Sequence, residues 1–200
     1  MHRFSKCTAI MIGLSLLSGA LGDSPRARST WSGLRGPGHD GAARDARLFA
    51  DDGKAALAIG WKRALGSGYS TLAAGDGLVV AMFAAGDADV VAGFDSATGD
   101  ERWRYRIADA YKGHDGSHDG PISSPLLSGG HVYGLGPKGD LFAVDAATGK
   151  ALWSRNIVTE QKAEAPWYGF ATSPILVDGV LVVEIGAGAG KTIAGFKTED

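Results

Sequence analysis

The feature that most restricts this 200-residue chain is one short stretch that recurs fifty residues apart. It reads Ala143-Val144-Asp145-Ala146-Ala147-Thr148-Gly149-Lys150-Ala151-Leu152-Trp153, and earlier Gly93-Phe94-Asp95-Ser96-Ala97-Thr98-Gly99-Asp100-Glu101-Arg102-Trp103. A third copy begins at Gly195-Phe196-Lys197-Thr198, with Lys197 where the others carry Asp. Self-similarity at this period is the mark of a solenoid, propeller or array.

The physical reading of the unit is local. An apolar run such as Leu141-Phe142-Ala143-Val144 is a strand buried on one or both faces. Asp145 opens a turn, because its carboxylate can accept backbone N–H bonds two residues on. Gly149, like Gly99, supplies the positive φ that a short hairpin loop needs. The return strand ends in Trp153 or Trp103. Burying such a ring removes roughly 200 Å² from water, about 5 kcal/mol gross. A Trp at the same place in each unit implies that the anchors dock between neighbouring units. Asp95, Thr98, Gly99, Trp103, Asp145, Thr148, Gly149 and Trp153 are therefore read as structural anchors.

The remainder of the unit repeats as well. Ser124-Pro125-Leu126-Leu127-Ser128-Gly129-Gly130-His131-Val132-Tyr133 matches Ser173-Pro174-Ile175-Leu176-Val177-Asp178-Gly179-Val180-Leu181-Val182, and residues 71–80 are a weaker copy. Each is strand, tight turn, strand. The unit is four short antiparallel strands, and four-stranded units repeated along a chain are propeller blades. The expected fold is all-β, with blades at about 70–107 and 123–157 and a shortened one at 172–200. Three blades fall short of the about 4–8 that close a ring, so the chain reads as the N-terminal part of a larger propeller. Taken alone, it is expected to expose sheet edges.

Here a family resemblance becomes visible. The pattern Ala-x-Asp-x-x-Thr-Gly-Lys-x-x-Trp at residues 143–153 resembles the tryptophan-docking repeat of pyrroloquinoline-quinone (PQQ)-type β-propellers. The segment Trp31-Ser32-Gly33-Leu34-Arg35-Gly36-Pro37-Gly38-His39-Asp40-Gly41 is similar to the start of a secreted PQQ-like repeat group. The resemblance implies one of two functions. One is a non-catalytic, BamB-like scaffold that binds other proteins or a small ligand at the channel face and needs no cofactor. The other is a quinoprotein dehydrogenase using PQQ with Ca²⁺ to oxidise an alcohol or sugar. Such enzymes commonly carry a vicinal Cys pair and acidic Ca²⁺ ligands. The only Cys here is Cys7. Kelch and WD arrays fit less well, for want of repeated Gly-Gly pairs in the first case and of a Trp-Asp pair in the second.

His2, Arg3 and Lys6 precede an apolar run at 7–17, then small residues Ala20 and Gly22. This reads as a signal peptide over 1–22, cleaved before Asp23, and as a secreted or periplasmic product that does not span a membrane. Without Arg3 and Lys6 the balance is 18 basic against 22 acidic residues. No basic stripe argues for a nucleic-acid partner. Residues 23–60 read as a linker wrapping to an outer position, with a weakly supported helix at 42–58. Trp61 and the residues after it read as a lone outer strand. As a hypothesis, that strand completes the last blade of the full ring.

Function in such a fold is expected on the links between units. His114, Asp115, His118 and Asp119 form the most polar cluster, open to reading as a metal or ligand site or as Asp-Gly turns. Trp167-Tyr168-Gly169-Phe170 reads equally as a stacking surface for a sugar or quinone ring or as packing between the second and third units. Tyr69 is a similar stacking candidate. The run Gly186-Ala187-Gly188-Ala189-Gly190-Lys191-Thr192 lacks the first Gly of a phosphate loop and joins two strands, so it reads as a hairpin tip. No catalytic residue or metal ligand set stands out.

Overall fold

A computed structural model describes residues 30–43, 53–54, 58–188 and 191–198. The expected signal peptide at 1–22, most of the expected helix at 42–58 and much of the expected linker lie outside the described residues. The described residues form three antiparallel sheets. The first holds β1 (Ala73–Gly75), β2 (Leu78–Ala85), β3 (Ala88–Asp95) and β4 (Glu101–Asp109) in that order. The second repeats it with β5 (Leu126–Ser128), β6 (His131–Leu135), β7 (Asp140–Asp145) and β8 (Ala151–Asn156). A short helix, α1 (Ile157–Gln161), leads to a third sheet of β9 (Ile175–Val177), β10 (Val180–Gly188) and β11 (Lys191–Lys197). These are propeller-type sheets, each made of strands consecutive in sequence. Among the described residues no helix is long and apolar enough to cross a membrane.

Period-2 alternation sends the two faces of each strand to different neighbours. Val80, Met82 and Val91 of the first sheet pack with Val132, Phe142 and Val144 of the second. The opposite face of the second sheet, with Tyr133, Leu135 and Leu141, packs on Leu181, Val183, Ile185 and Phe196 of the third. Each fully buried aliphatic contributes about 1.5–3 kcal/mol before entropy. The third sheet leaves Ile175, Val177, Val180 and Ile193 exposed. β10 and β11 run antiparallel as far as the pair Gly188–Lys191, and the two residues between lie outside the described residues.

The repeated turn is built as its residues require. Asp95 Oδ1 accepts from the N–H groups of Ala97 and Thr98, and Asp145 Oδ1 from the N–H of Thr148. Gly99 and Gly149 sit at φ 73° and 70°. Both hairpins carry a bulge at the same repeat position: Gly93 faces Trp103 and Ala143 faces Trp153, while Arg102 and Leu152 are the extra residues.

The indoles dock forward onto the next sheet. Trp103 Nε1 donates to the carbonyl of Ala146 at 2.8 Å, and Trp153 Nε1 to that of Thr198 at 3.1 Å. Lys197 in place of Asp therefore leaves the docking bond intact. Trp61 makes the same contact with the first sheet, its Nε1 donating to Ser96 at 3.0 Å. Ser96, Ala146 and Thr198 are equivalent repeat positions, so Trp61 occupies the place of an outer-strand Trp. The expectation of a strand there is corrected: residues 61–65 are irregular. A strand exists only as part of a ladder, and the described residues offer this segment none.

The N-terminal segment also differs from expectation. Its described residues Trp31 and Ser32 lie on the first strands of two sheets rather than in an outer position. Trp31 and Ala74 exchange backbone hydrogen bonds at 2.7 and 2.8 Å, and Leu127 N–H donates to Ser32 at 2.7 Å. Residues 31 and 32 thus strap the edge strands of two sheets, filling backbone groups that the sheets leave unpaired.

Candidate functional site

The links following β4 and α1 meet beside the first two sheets. The first is folded on itself. Ala110 N–H donates to Asp87, and Gly120 N–H to Tyr111. His114 and Ser117 exchange bonds of 2.8 Å, with Asp115 and Gly116 at positive φ between them. Lys112 Nζ binds Asp119 at 2.7 Å, and Gly113 N–H donates to the other oxygen at 3.0 Å. Lys112, first, and the Gly113 amide then hold the Asp119 carboxyl below its ordinary value.

The four candidate residues His114, Asp115, His118 and Asp119 take different places in this link. Asp115 makes a turn and Asp119 is a loop clasp. Among the described residues no three His, Cys, Asp or Glu side chains converge to hold a metal ion. His118 enters through its backbone: its N–H donates to the Tyr69 hydroxyl at 2.8 Å. Tyr69 is half exposed, with its ring 6.3 Å from the His118 imidazole.

The second link begins with α1, capped by Asn156, whose side chain accepts from Val158 and Thr159. Lys162 ends the helix at φ 53°. A turn at Trp167 and Tyr168 follows, closed by Gly169 N–H on Pro166. Residues 167–170 divide between core and surface. Phe170 is buried in the core between the second and third sheets. Trp167 is 70% exposed and Tyr168 52% exposed.

The links touch through aromatic rings. The His114 imidazole lies 5.2 Å from the Trp167 indole, tilted by 34°. Tyr111 meets His114 edge-on at 5.7 Å, and its hydroxyl donates to the Trp167 carbonyl at 3.4 Å. Burial, then Tyr168, raises the Tyr111 phenol. The result is a continuous surface of Tyr111, His114, Trp167 and Tyr168 with one strongly exposed indole. Such a surface can stack on a flat apolar face while its polar edges select orientation.

Beneath Tyr111 lies a residue the sequence reading passed over. Asp89 is fully buried. Its Oδ2 accepts the Tyr111 N–H at 3.1 Å, while Oδ1 has no hydrogen-bond partner. Burial raises its carboxyl to about 6, against the opposing pull of the Tyr111 amide and Lys138. The only sign in the sequence is an acid inside the apolar run 88–94, and its place beside the Gly86-Asp87 turn disguises it. A second unread feature is a hydroxyl ladder along the starts of the three sheets. Thr71 Oγ1 donates to Ser124 Oγ at 2.8 Å, and Ser124 N–H donates to Ser173 Oγ at 2.8 Å.

Comparison with known proteins follows the same lines. Residues 52 in number match lupanine 17-hydroxylase [cytochrome c] of a Pseudomonas species at 36% identity, over 26% of this chain and 8% of that protein. Quinohemoprotein alcohol dehydrogenase from Comamonas testosteroni superposes with a TM-score of 0.51 at 24% identity, over 67% of this chain and 20% of that one. That likeness speaks to fold. BamB from Moraxella catarrhalis aligns at 19% identity with a TM-score of 0.37, over 58% of this chain and 28% of that one. The chain thus spans a small fraction of the relatives it matches. A family profile described as outer membrane protein assembly factor BamB matches residues 31–197. With the repeated turns, the docked tryptophans and that match across most of its length, the chain belongs to this family of PQQ-type β-propeller repeats.

Proposed function

We propose that this chain is a non-catalytic, periplasmic or secreted PQQ-like propeller that binds a protein or a small ligand on its link surface. The observation that carries the reading is the Trp167 indole, 70% exposed yet fixed against His114. An exposed indole held in place by a neighbouring link loses little entropy on contact, which favours binding. In this reading the 200 residues act without a cofactor. Calorimetric titration with a panel of oligosaccharides and extended peptides, against wild type and Trp167→Ala, tests it. Heat of binding that disappears in the variant supports the reading; a panel member bound equally by both places recognition elsewhere.

A second reading, a PQQ- and Ca²⁺-dependent dehydrogenase, is favoured by the local identity to lupanine 17-hydroxylase. The donor chemistry of the described residues does not fit a calcium ion: Asp119 is occupied by Lys112, and the neighbouring acids and imidazoles do not converge. Dye-linked alcohol oxidation after addition of PQQ and Ca²⁺ separates the two readings, with turnover supporting the enzyme.

A further inference from the structure

Asp89 is at odds with its surroundings. A carboxylate with no exposure ordinarily fills all its acceptor sites, and Asp89 leaves one oxygen without any partner. Its single bond goes to the backbone of Tyr111, the residue from which the aromatic link starts. Tyr111 is held at three points: its N–H by Asp89, its carbonyl by Gly120 N–H, and its hydroxyl on the Trp167 carbonyl. Anything that loosens the first point acts on the other two.

We propose that Asp89 is a proton-operated latch on link 110–120, closing the Tyr111–His114–Trp167 surface when protonated and releasing it when ionised. The charged groups within reach are Lys112 and Asp119 on the link itself, Lys138 in the turn before β7, and Asp140 at the start of β7. Lys138 favours the ionised form, whereas Asp119 and Asp140 oppose it. A neutral carboxyl keeps Tyr111 N–H on Oδ2 and, although its O–H is also without a partner, costs far less in the dry site than a charge. A carboxylate there is under-solvated, and it regains water if the link swings away. The carboxyl sits near 6 with the link closed, against an ordinary 3.8. The closed form is therefore favoured fully below about pH 4, and the preference declines as pH rises to about 6 and then levels off. That the latch controls ligand access rests on the function proposed above; the motion of the link does not.

Amide hydrogen exchange on the whole chain, expressed as protection factors, tests the latch without any ligand. Protection of Tyr111, Gly113 and Gly120 should fall by about a hundredfold between pH 4 and pH 7, following the displacement of the Asp89 carboxyl. Asp89→Asn should make it independent of pH. Lys138→Gln should move the midpoint upward, and His114→Gln and His118→Gln should leave it in place. The amides of Val80 and Val91 report whether each variant is folded. Flat protection in the wild type overturns the proposal, as does a pH dependence that survives Asp89→Asn or vanishes with either histidine. Should Asp89→Asn lose the sheet amides as well, Lys138→Gln decides: an unmoved midpoint overturns the latch. Failure of the oligosaccharide and peptide titrations would leave this result standing.

Discussion

The indole N–H of Trp103 bonds to the carbonyl of Ala146 across the boundary between the first and second sheets. The same bond recurs from Trp153 to Thr198 and from Trp61 to Ser96, so one weld is used three times. Trp103 is buried, whereas Trp153 keeps part of its surface in water. Trp103→Ala should cost about 3–5 kcal/mol in urea denaturation. Trp103→Phe keeps much of the packing but strands the Ala146 carbonyl, at about 1–3 kcal/mol. Trp153→Ala should cost less than Trp103→Ala. Equal losses would show that burial does not grade the weld.

The turn glycines under Trp61 and Trp103 belong to the same device. A Cβ on Gly149 would stand 2.7 Å from the Trp103 ring, and one on Gly99 2.5 Å from Trp61. Gly129 also has positive φ, but its Cβ would meet open space. Gly129→Ala should thus show only the left-handed backbone cost of roughly 1–2 kcal/mol, and Gly149→Ala visibly more. In a Trp103→Ala background the excess at Gly149 should vanish, a coupling of about 0.5–3 kcal/mol by double-mutant cycle. Additivity would separate the glycine from the ring.

Sheets, turns and docking rings were legible because each leaves a mark on every repeat. Asp145, Thr148, Gly149 and Trp153 occur in a fixed order, and their physics is local. What was not legible lies where the repeats differ. The contact of His114 with Trp167 joins two links of unlike sequence, and only the angle between sheets brings them together. Asp89 looks like any turn-side acid until a link folds over it. The strap at Trp31 and Ser32 depends on edge amides that exist because β1 and β5 each pair on one side only in their sheets. Trp61 carried its signal, yet the same signal led to expecting a strand where the described residues supply no ladder.

Two acids should give the stability curve opposite slopes. Arg102, with the Thr98 and Ala97 amides, depresses the Asp95 carboxyl to about 2. Its contribution is present above about pH 4, the unfolded value, and is lost as pH falls towards 2. Asp95→Asn should flatten the acid limb of a chemical denaturation series run from pH 2 to 6. An unchanged limb would assign acid sensitivity to other carboxyls.

Asp89 acts in the reverse sense. Its folded value is raised, so the native state holds the proton more tightly than the unfolded chain. Stability from this group is full below about pH 4, declines as pH climbs to about 6, and stays low beyond. Asp89→Asn should stabilise the chain at pH 7.5, by up to about 3 kcal/mol, and change little at pH 3.5. A variant that is less stable at both would mean that the carboxylate is solvated in the native state.

Residues 167–170 put the division between surface and core to a direct test. Phe170 is 3% exposed and packs with Leu141 and Leu181, so Phe170→Ala should cost about 3–5 kcal/mol. Trp167 is three residues away and open to solvent, so Trp167→Ala should change stability by no more than about 0.5 kcal/mol. The ring contact with His114 is edge decoration on the fold but the centre of the proposed binding surface. A Trp167→Ala protein with wild-type denaturation and lost ligand heat would place the indole in recognition. If its denaturation midpoint instead falls as far as that of Phe170→Ala, the indole is holding the links together and the binding surface must be sought elsewhere.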